Sequence, residues 1–284
     1  MKLADSVFEL YKNVSCSLPD DVVEGLRKAE NKEKGLAKNI INGILANIQL
    51  AKESSLPICQ DTGVPVFYVN YNGSQKEIKE AIISATRKAT EKNFLRPNAV
   101  DPITGENTGN NIGENFPVVY FHHWDNDFLR IELMLKGGGS ENIGMLYSLP
   151  DSNLNAGRDV NGIKKCVIDA MFKAQGKGCS PNIVGVGIGG SKTAAMALAK
   201  RQLLRKVDDV NDDKDLAGIE EELFEKLNKL GIGPMGLGGG ATVLGVKAAK
   251  QHRHPASFFV AVSFMCWACR RGSLIVKGNK IKIE

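Results

Sequence analysis

The 284-residue sequence has no run of about 18 apolar residues, the length that a helix needs to cross a bilayer, so no membrane span is predicted. Its first residues also lack the apolar core of a secretory signal, because Lys2, Asp5, Glu9 and Lys12 interrupt them. Without such a signal, the six cysteines indicate a reducing compartment, where thiols are ligands or buried side chains instead of disulfides. We therefore expect a cytoplasmic protein.

The sequence also lacks a large excess of charge of one sign. It contains 37 Lys and Arg and 32 Asp and Glu residues, which gives a net charge of +5. No arginine–lysine tract and no interleaving of basic and aromatic residues favours a nucleic-acid surface. The weak positive balance is compatible with a small anionic substrate. A hydrophobic content of 43% with 24% charged residues is typical of a globular protein with a sizeable core.

Helical and strand periods alternate along the chain, which predicts a mixed α/β (α+β) fold with helices packed on mixed β-sheets. Helices are predicted over residues 4–14, 20–54, 75–92, 158–175, 191–205 and 217–230. Strands are predicted over residues 64–71, 117–122, 128–136, 183–186 and 257–264, with a hairpin over 273–284. We expect one domain over residues 1–284, which could be divided into two lobes.

Three of the six cysteines lie in turns rich in glycine, proline or arginine: Cys59 in PICQDTG, Cys179 in GCSPN and Cys266 in CWACRR. They are 120 and 87 residues apart, so only the fold could bring them together. Three thiolates on a [4Fe–4S] cluster would leave one iron as an open Lewis acid, which suits an enzyme that adds or removes water. The alternative for each is a small buried hydrophobe, which is how we interpret Cys16 and Cys166.

The CxxC motif formed by Cys266 and Cys269 invites a redox or zinc interpretation. However, no helix pattern follows it, and neither a second CxxC nor a closely spaced histidine pair is present. We therefore interpret Cys269 as incidental to the chemistry.

Residues 185–190 (GVGIGG) match the GxGxxG fingerprint of dinucleotide-binding proteins. The strand comes late in the chain, no second βαβ unit follows it, and the acidic residues Asp208 and Asp209 lie in a polar run. We favour a structural turn whose glycines let the helix at 191–205 pack closely behind Cys179, and a nucleotide site is the alternative.

Polar residues near the turns supply candidate substrate contacts. The candidate carboxylate anchors are Arg96, Lys136, Arg253, Arg270 and Arg271. Arg96 is the strongest, because the following Pro97 fixes it at the start of a long Asn- and Gly-rich loop over residues 96–117, and such loops are usually functional. For any single anchor the alternative is an ordinary surface charge.

Two further residues have the chemistry of a catalytic or binding group. Asp61, two residues after Cys59, could exchange a proton with a metal-bound substrate, and its alternative is an Asx-turn before Thr62 and Gly63. His254, which precedes Pro255, could polarise a carbonyl or donate to a carboxylate.

Together these motifs resemble the class I (iron–sulfur) fumarase and L-tartrate dehydratase family. The resemblance is to the α subunit, or N-terminal catalytic domain, of its two-subunit hydro-lyases, and it covers nearly the whole chain. The matching segments are CQDTG at 59–63, LRPNAV at 95–100, NTG at 107–109, KGGGS at 136–140, Cys179 with Pro181, GIGP at 231–234, RHP at 253–255 and CWA at 266–268.

The resemblance implies a [4Fe–4S] cluster between the two lobes, with one iron that is not ligated by protein and that binds the 2-hydroxy dicarboxylate. The implied cluster ligands are Cys59, Cys179 and Cys266. It also implies that Asp61 is catalytic. The implied substrate-binding residues are Gln60, Arg96, Gly137, Gly138, Gly139 and His254.

A partner is implied as well. In single-chain relatives a C-terminal domain supplies further arginines, a lysine and the threonine proposed as the base. This sequence stops shortly after Cys266, so the resemblance implies a separate β subunit of the fumarase C-terminal type, in an α2β2 heteromer. Neither nucleic acid nor a membrane is an expected partner.

The substrate remains open between two branches of the family. KGGGSEN at 136–142 and GGS at 189–191 look more like fumarase α subunits, which implies the reversible hydration of fumarate to L-malate, a reaction of the tricarboxylic acid cycle. The alternative is the conversion of L(+)-tartrate to oxaloacetate, because one extra hydroxyl is a small difference in recognition. A non-catalytic iron–sulfur redox or sensor protein is a third interpretation, although it would not need Arg96 or the glycine-rich loops.

Overall fold

The computed structural model describes residues 2–284. Its α-helices are α1 (Leu3–Cys16), α2 (Asp20–Lys32), α3 (Gly35–Ser54), α4 (Gln75–Glu91), α5 (Gly138–Asn142), α6 (Val160–Ala174), α7 (Lys192–Gln202) and α8 (Lys214–Asn228). Its strands are β1 (Val64–Tyr71), β2 (Val118–His123), β3 (Leu129–Lys136), β4 (Met145–Ser148), β5 (Asn182–Ile188), β6 (Val243–Lys250), β7 (Phe259–Met265), β8 (Arg271–Lys277) and β9 (Lys280–Ile283). The α+β class predicted from the sequence is confirmed.

The chain divides into two compact units. The first unit contains the chain up to Pro19 together with Ala46–Gly138 and Arg270–Glu284. The second contains Asp20–Leu45 and Gly139–Cys269. No helix within residues 2–284 is both long enough and apolar enough to cross a membrane.

The first unit is built on a five-stranded mixed sheet in the order β2-β1-β3-β8-β9. Strand β1 pairs parallel with β2 and antiparallel with β3, and Val64 at the start of β1 lies opposite Lys136 at the end of β3. This register brings the loop before β1, which contains Cys59 and Asp61, next to the glycines that follow β3. The pairing therefore sets the geometry of the candidate site in this unit.

Helices α1 and α4 supply the core that supports this sheet. The apolar positions of α1 recur at helical spacing, as Val7, Leu10, Tyr11 and Val14, and all four are buried with residues of α4 and the sheet. The Tyr11 hydroxyl hydrogen-bonds to Thr86 of α4 at 2.7 Å, and burial raises the pKa of this phenol above its usual range.

The second unit contains a four-stranded sheet in the order β4-β7-β5-β6, with β5 parallel to β6 and antiparallel to β7. Helix α7 lies so close to β5 that a Cβ on Gly185 would be 2.1 Å from the carbonyl oxygen of Ala199. A Cβ on Gly187 would be equally close to the carbonyl oxygen of Ala195. The structural interpretation of the glycine-rich segment is therefore confirmed, because these glycines are needed for helix packing.

Candidate active site

In the first unit, the loop that carries Cys59 is held at its base by backbone contacts. The N–H of buried Ile58 donates to the carbonyl of Ser15 at 3.0 Å, and its own carbonyl accepts from Asn47 Nδ2 at 2.9 Å. Cys59 follows as a free, half-buried thiol, and Gln60 is exposed. The loop therefore presents two adjacent site residues on a fixed backbone.

The carboxylate of Asp61 is held by two backbone donors. Its Oδ1 accepts from the N–H of Gly63 at 3.0 Å, and its Oδ2 accepts from the N–H of Gly138 at 2.8 Å. The first bond is the Asx-turn that was the alternative interpretation of this residue. The second joins the carboxylate to the glycine-rich segment after β3, so Asp61 makes both contacts at once. A Cβ on Gly137 would lie 3.0 Å from Oδ2, which explains the glycine there.

The loop that begins at Arg96 hydrogen-bonds to the same turn. The hydroxyl of buried Thr62 accepts from the N–H of Arg96 at 2.9 Å and from Asn98 Nδ2 at 3.1 Å, and Asn98 Nδ2 also donates to the carbonyl of Gly63. The side chain of Arg96 is exposed. The structure thus brings the backbone of the predicted anchor against the turn that holds Asp61 and leaves the guanidinium accessible to an anion.

Asn111 organises this loop, although no motif in the sequence marks it. It is 1% exposed, and its Oδ1 accepts from the N–H groups of Asn98 and Ala99 at 2.6 and 3.2 Å. Its Nδ2 donates to the hydroxyl of Thr90 and to the carbonyl of Arg96 at 2.9 and 2.8 Å. The only available signal was the high asparagine content of residues 96–117, which does not identify the buried one.

In the second unit, the backbone brings the segments of Cys179 and Cys266 together. Cys179 follows a 3-10 turn over Gln175–Gly178 and has a left-handed backbone with φ 54°, which is rare outside glycine and asparagine. Its carbonyl accepts from the N–H of Trp267 at 3.2 Å. Neither cysteine forms a disulfide, and both are half-buried. Gly139 lies beside the same turn, since a Cβ there would be 3.3 Å from the carbonyl oxygen of Lys177.

His254 lies in an exposed loop of the second unit, where its Nδ1 accepts from the N–H of Ala256 at 3.1 Å. A neutral imidazole that accepts at Nδ1 carries its proton on Nε2, so this nitrogen is a donor. Nη1 of Arg253 donates to the carbonyls of His254 and Pro255, and its guanidinium lies over the ring of Phe258. Arg253 thus stabilises the histidine loop.

The other predicted carboxylate anchors, Lys136, Arg270 and Arg271, are 1, 1 and 8% exposed. Burial at this level is costly for a charge, so these residues are not the ordinary surface charges of the alternative interpretation.

The six cysteines fall into two sets. Cys16, Cys166 and Cys269 are buried, and burial raises the pKa of the Cys166 thiol to about 12. The three predicted ligands are instead half-buried and therefore accessible. Among residues 2–284, no three His, Cys, Asp or Glu side chains are already arranged as a metal site. The chemistry of the donor set nevertheless fits a cluster, because none of the three thiols is in a disulfide and a backbone hydrogen bond already ties two of their segments together.

Comparison with known proteins places these residues in a family. The family model described as fumarate hydratase (fumerase) matches residues 4–275. The chain belongs to this family. It is 47% identical over 285 residues to a protein of Geobacillus stearothermophilus named "Putative fumarate hydratase class I", covering 98% of this chain and 55% of that protein. The chain thus spans about half the length of that relative.

Two relatives of similar length carry a different name. The chain is 41% identical to a Methanocaldococcus jannaschii protein named "Putative L(+)-tartrate dehydratase subunit alpha", covering 98% of each. It is 36% identical to the L(+)-tartrate dehydratase subunit alpha of Escherichia coli K12, covering 98% of this chain and 92% of that protein. Both relatives are named as dehydratase subunits, and the resemblance noted from the motifs is confirmed.

Proposed function

We propose that this chain is the α subunit of a [4Fe–4S]-dependent hydro-lyase that reversibly hydrates fumarate to L-malate. The observation that carries the proposal is the hydrogen-bonded turn of the first unit. There Asp61 is fixed by two backbone N–H groups two residues after the free thiol of Cys59, and Thr62 binds the backbone of Arg96. The 47% identity to a protein named as a class I fumarate hydratase supports the same reaction.

Three thiolates would hold the cluster, from Cys59, Cys179 and Cys266. When bound, the cluster supplies an iron without a protein ligand, which acts as a Lewis acid toward a hydroxyl and its neighbouring carboxylate. The half-buried state of these thiols and the left-handed backbone of Cys179 support this ligand set.

The chain's own residues would bind the substrate and move a proton. The fixed carboxylate of Asp61 exchanges a proton with the oxygen that leaves in dehydration and attacks in hydration. The exposed guanidinium of Arg96 can grip a carboxylate at two points, and Nε2 of His254 can donate to another oxygen. The remaining proposed substrate contacts are Gln60 and the backbone of Gly137, Gly138 and Gly139.

A separate β subunit would complete the active site, in an α2β2 assembly. Two relatives of similar length are named as α subunits, whereas the Geobacillus relative is nearly twice as long. We propose that the partner supplies the base that removes the C3 proton, so that this chain alone is inactive. None of the six cysteines forms a disulfide within residues 2–284, and we propose a reducing location such as the cytoplasm.

The second candidate is the dehydration of L(+)-tartrate, which the names of the two length-matched relatives favour. The test is an anaerobic reconstitution of the chain with iron and sulfide, addition of a candidate β subunit, and parallel assays with malate, fumarate and L-tartrate. Fumarate–malate turnover that needs both chains supports the proposal. Dominant tartrate turnover supports the second candidate instead. A chain that binds iron but turns over none of the three supports a redox or sensor role.

A further inference from the structure

Arg270 lies immediately before β8 in the first unit and is 1% exposed. Its Nε and Nη1 are buried, and no hydrogen-bond partner for them exists among residues 2–284. A guanidinium stays charged in proteins at any ordinary pH, so this is a buried positive charge with two unsatisfied nitrogens. Such a group is destabilising unless a negative charge lies close enough to offset its desolvation.

The nearby negative charge is the carboxylate of Asp61. The point that a Cβ on Gly137 would occupy is 3.8 Å from Nη2 of Arg270 and 3.0 Å from Oδ2 of Asp61. The carbonyl of Arg270 accepts from the N–H of Leu135 at 3.0 Å, which fixes its backbone beside the end of β3. The cation and the carboxylate therefore both lie within 4 Å of one point beside Gly137.

The hydrogen bonds of the carboxylate come from the N–H groups of Gly63 and Gly138, so Arg270 acts on it through charge instead of through a direct bond. Lys136, the other buried cation next to Gly137 in sequence, is engaged in contacts of its own. Arg270 differs because two of its nitrogens have no partner and its third lies beside Gly137.

We propose that Arg270 is a positioning residue for the hydro-lyase reaction, whose buried positive charge holds the Asp61 carboxylate in place beside Gly137. The consequence for turnover rests on the proposed function of Asp61, whereas the coupling between the two charges does not. The proposal therefore has one test that needs no cluster, partner or substrate, and a second that uses the complete enzyme.

The first test is a double-mutant cycle on the unfolding of the full chain. Asp61→Asn is combined with the neutral variants Arg270→Met and Arg270→Gln and with the charge-retaining Arg270→Lys. Asp61→Asn raises the equilibrium constant for unfolding by some factor in the wild-type background. We expect this factor to be at least about tenfold smaller when Arg270 is neutralised, which corresponds to a coupling free energy of about 1.4 kcal/mol. The matched control is Arg130→Met at the far end of β3, where the guanidinium binds Glu132 at 3.2 Å, and we expect it to be additive with Asp61→Asn.

Additivity of Asp61→Asn with both neutral variants overturns the proposal. If neither neutral variant folds while Arg270→Lys does, the cycle is run between Asp61→Asn and Arg270→Lys, because the shorter side chain moves the positive charge away from Gly137. In that case non-additive changes in melting temperature support the coupling, and additive ones overturn it.

The second test measures kcat and KM of the reconstituted two-subunit enzyme. We expect Arg270→Lys to retain KM and lose less than tenfold in kcat, and Arg270→Met to lose about a hundredfold in kcat with KM and cluster absorbance unchanged. In the Asp61→Asn background, Arg270→Met should cause no further loss. A merely structural role would instead lower cluster content or raise KM, and equal losses in both backgrounds contradict the proposal.

The two tests fail in different ways. If the double-mutant cycle on unfolding is non-additive but the enzyme turns over no substrate, the interaction between Arg270 and Asp61 is supported and the proposed function is rejected. If the enzyme turns over substrate but the double-mutant cycles are additive, the proposed function is supported and the positioning role of Arg270 is rejected.

Discussion

Asp61 and Gly138 are 77 positions apart in the sequence, and Oδ2 of Asp61 accepts a hydrogen bond from the N–H of Gly138 at 2.8 Å. The antiparallel pairing of β1 with β3 produces this contact, because it places Val64 opposite Lys136. With Oδ1 held by the N–H of Gly63, both carboxylate oxygens are bound by backbone. The sheet itself therefore sets the orientation of the proposed catalytic group.

Asp61→Asn should reduce kcat by about 10²- to 10⁴-fold, the usual contribution of a positioned acid–base group, because the amide cannot exchange the proton. Cluster absorbance should be unchanged. The matched control is Asp101→Asn, whose carboxylate also binds turn N–H groups, those of Ile103 and Thr104, but in an exposed loop. Equal turnover in Asp61→Asn and the control would remove Asp61 from the mechanism.

Gly137→Ala should reduce kcat, because the new Cβ would lie 3.0 Å from Oδ2 of Asp61 and displace it. The control is Gly218→Ala in α8, where nothing lies within 4 Å of the added Cβ. That change should leave kcat unchanged and stabilise the chain by about 0.5–1 kcal/mol, the usual difference between glycine and alanine inside a helix. Steady-state kinetics and urea unfolding of both variants check the prediction. Unaltered kcat in Gly137→Ala contradicts it.

Gly187→Ala should destabilise the second unit by about 1–3 kcal/mol or more, the cost of overpacking, because its Cβ would be 2.1 Å from the carbonyl oxygen of Ala195. Urea unfolding measures this effect, again with Gly218→Ala as the control. A fully stable Gly187→Ala chain that has lost affinity for a nucleotide would return the segment to the dinucleotide interpretation.

Asn111→Ala should destabilise the chain by about 1–3 kcal/mol, because it leaves several buried backbone groups without partners. It should also raise KM, since Nδ2 of Asn111 holds the carbonyl of Arg96. Asn72→Ala, at an exposed amide with a single 3.5 Å contact, is the control and should change neither quantity. An unchanged KM would separate the loop from substrate binding.

Alkylation of the cluster-free chain at pH 8 should label Cys59, Cys179 and Cys266 before the buried cysteines. The pKa of Cys166 is raised to about 12, mainly by burial and also by Asp151 and Asp169, so it holds almost no reactive thiolate at this pH. Burial likewise raises the pKa of Cys16. Mass spectrometry after a short pulse gives the order, and equal labelling of all six cysteines contradicts it.

Local patterns predicted much of the fold, but they failed where long-range contacts decide. The predicted helix over residues 20–54 is two helices, since α2 ends at Lys32 and α3 begins at Gly35, whose φ of 55° redirects the chain. The apolar period continues on both sides, so periodicity alone gave no sign of the break. Strand β6 was missed because its run of valine, glycine and alanine has no alternation once both faces are buried.

Residues 208–215, which the sequence shows only as a polar run that contains Asp208 and Asp209, make specific contacts in the structure. Asp209 binds Arg205 at 2.9 Å and Lys247 at 2.6 Å, and Asp213 caps α8. In the candidate site, too, local sequence patterns do not predict the contacts that depend on the fold. Motifs made Asp61 and Arg96 candidates and offered Arg270 only as one of five possible anchors, whereas the burial of Arg270 and of Asn111 is evident only in the folded chain.

The most direct measurement of the central claim is iron content and fumarate turnover after anaerobic reconstitution of four variants with the β subunit. These are Cys59→Ser, Cys179→Ser and Cys266→Ser, with Cys269→Ser as the matched control because that thiol is buried. The account predicts that each of the first three loses the cluster and turnover together, while Cys269→Ser keeps both. A full cluster and full activity in any of the first three would contradict it.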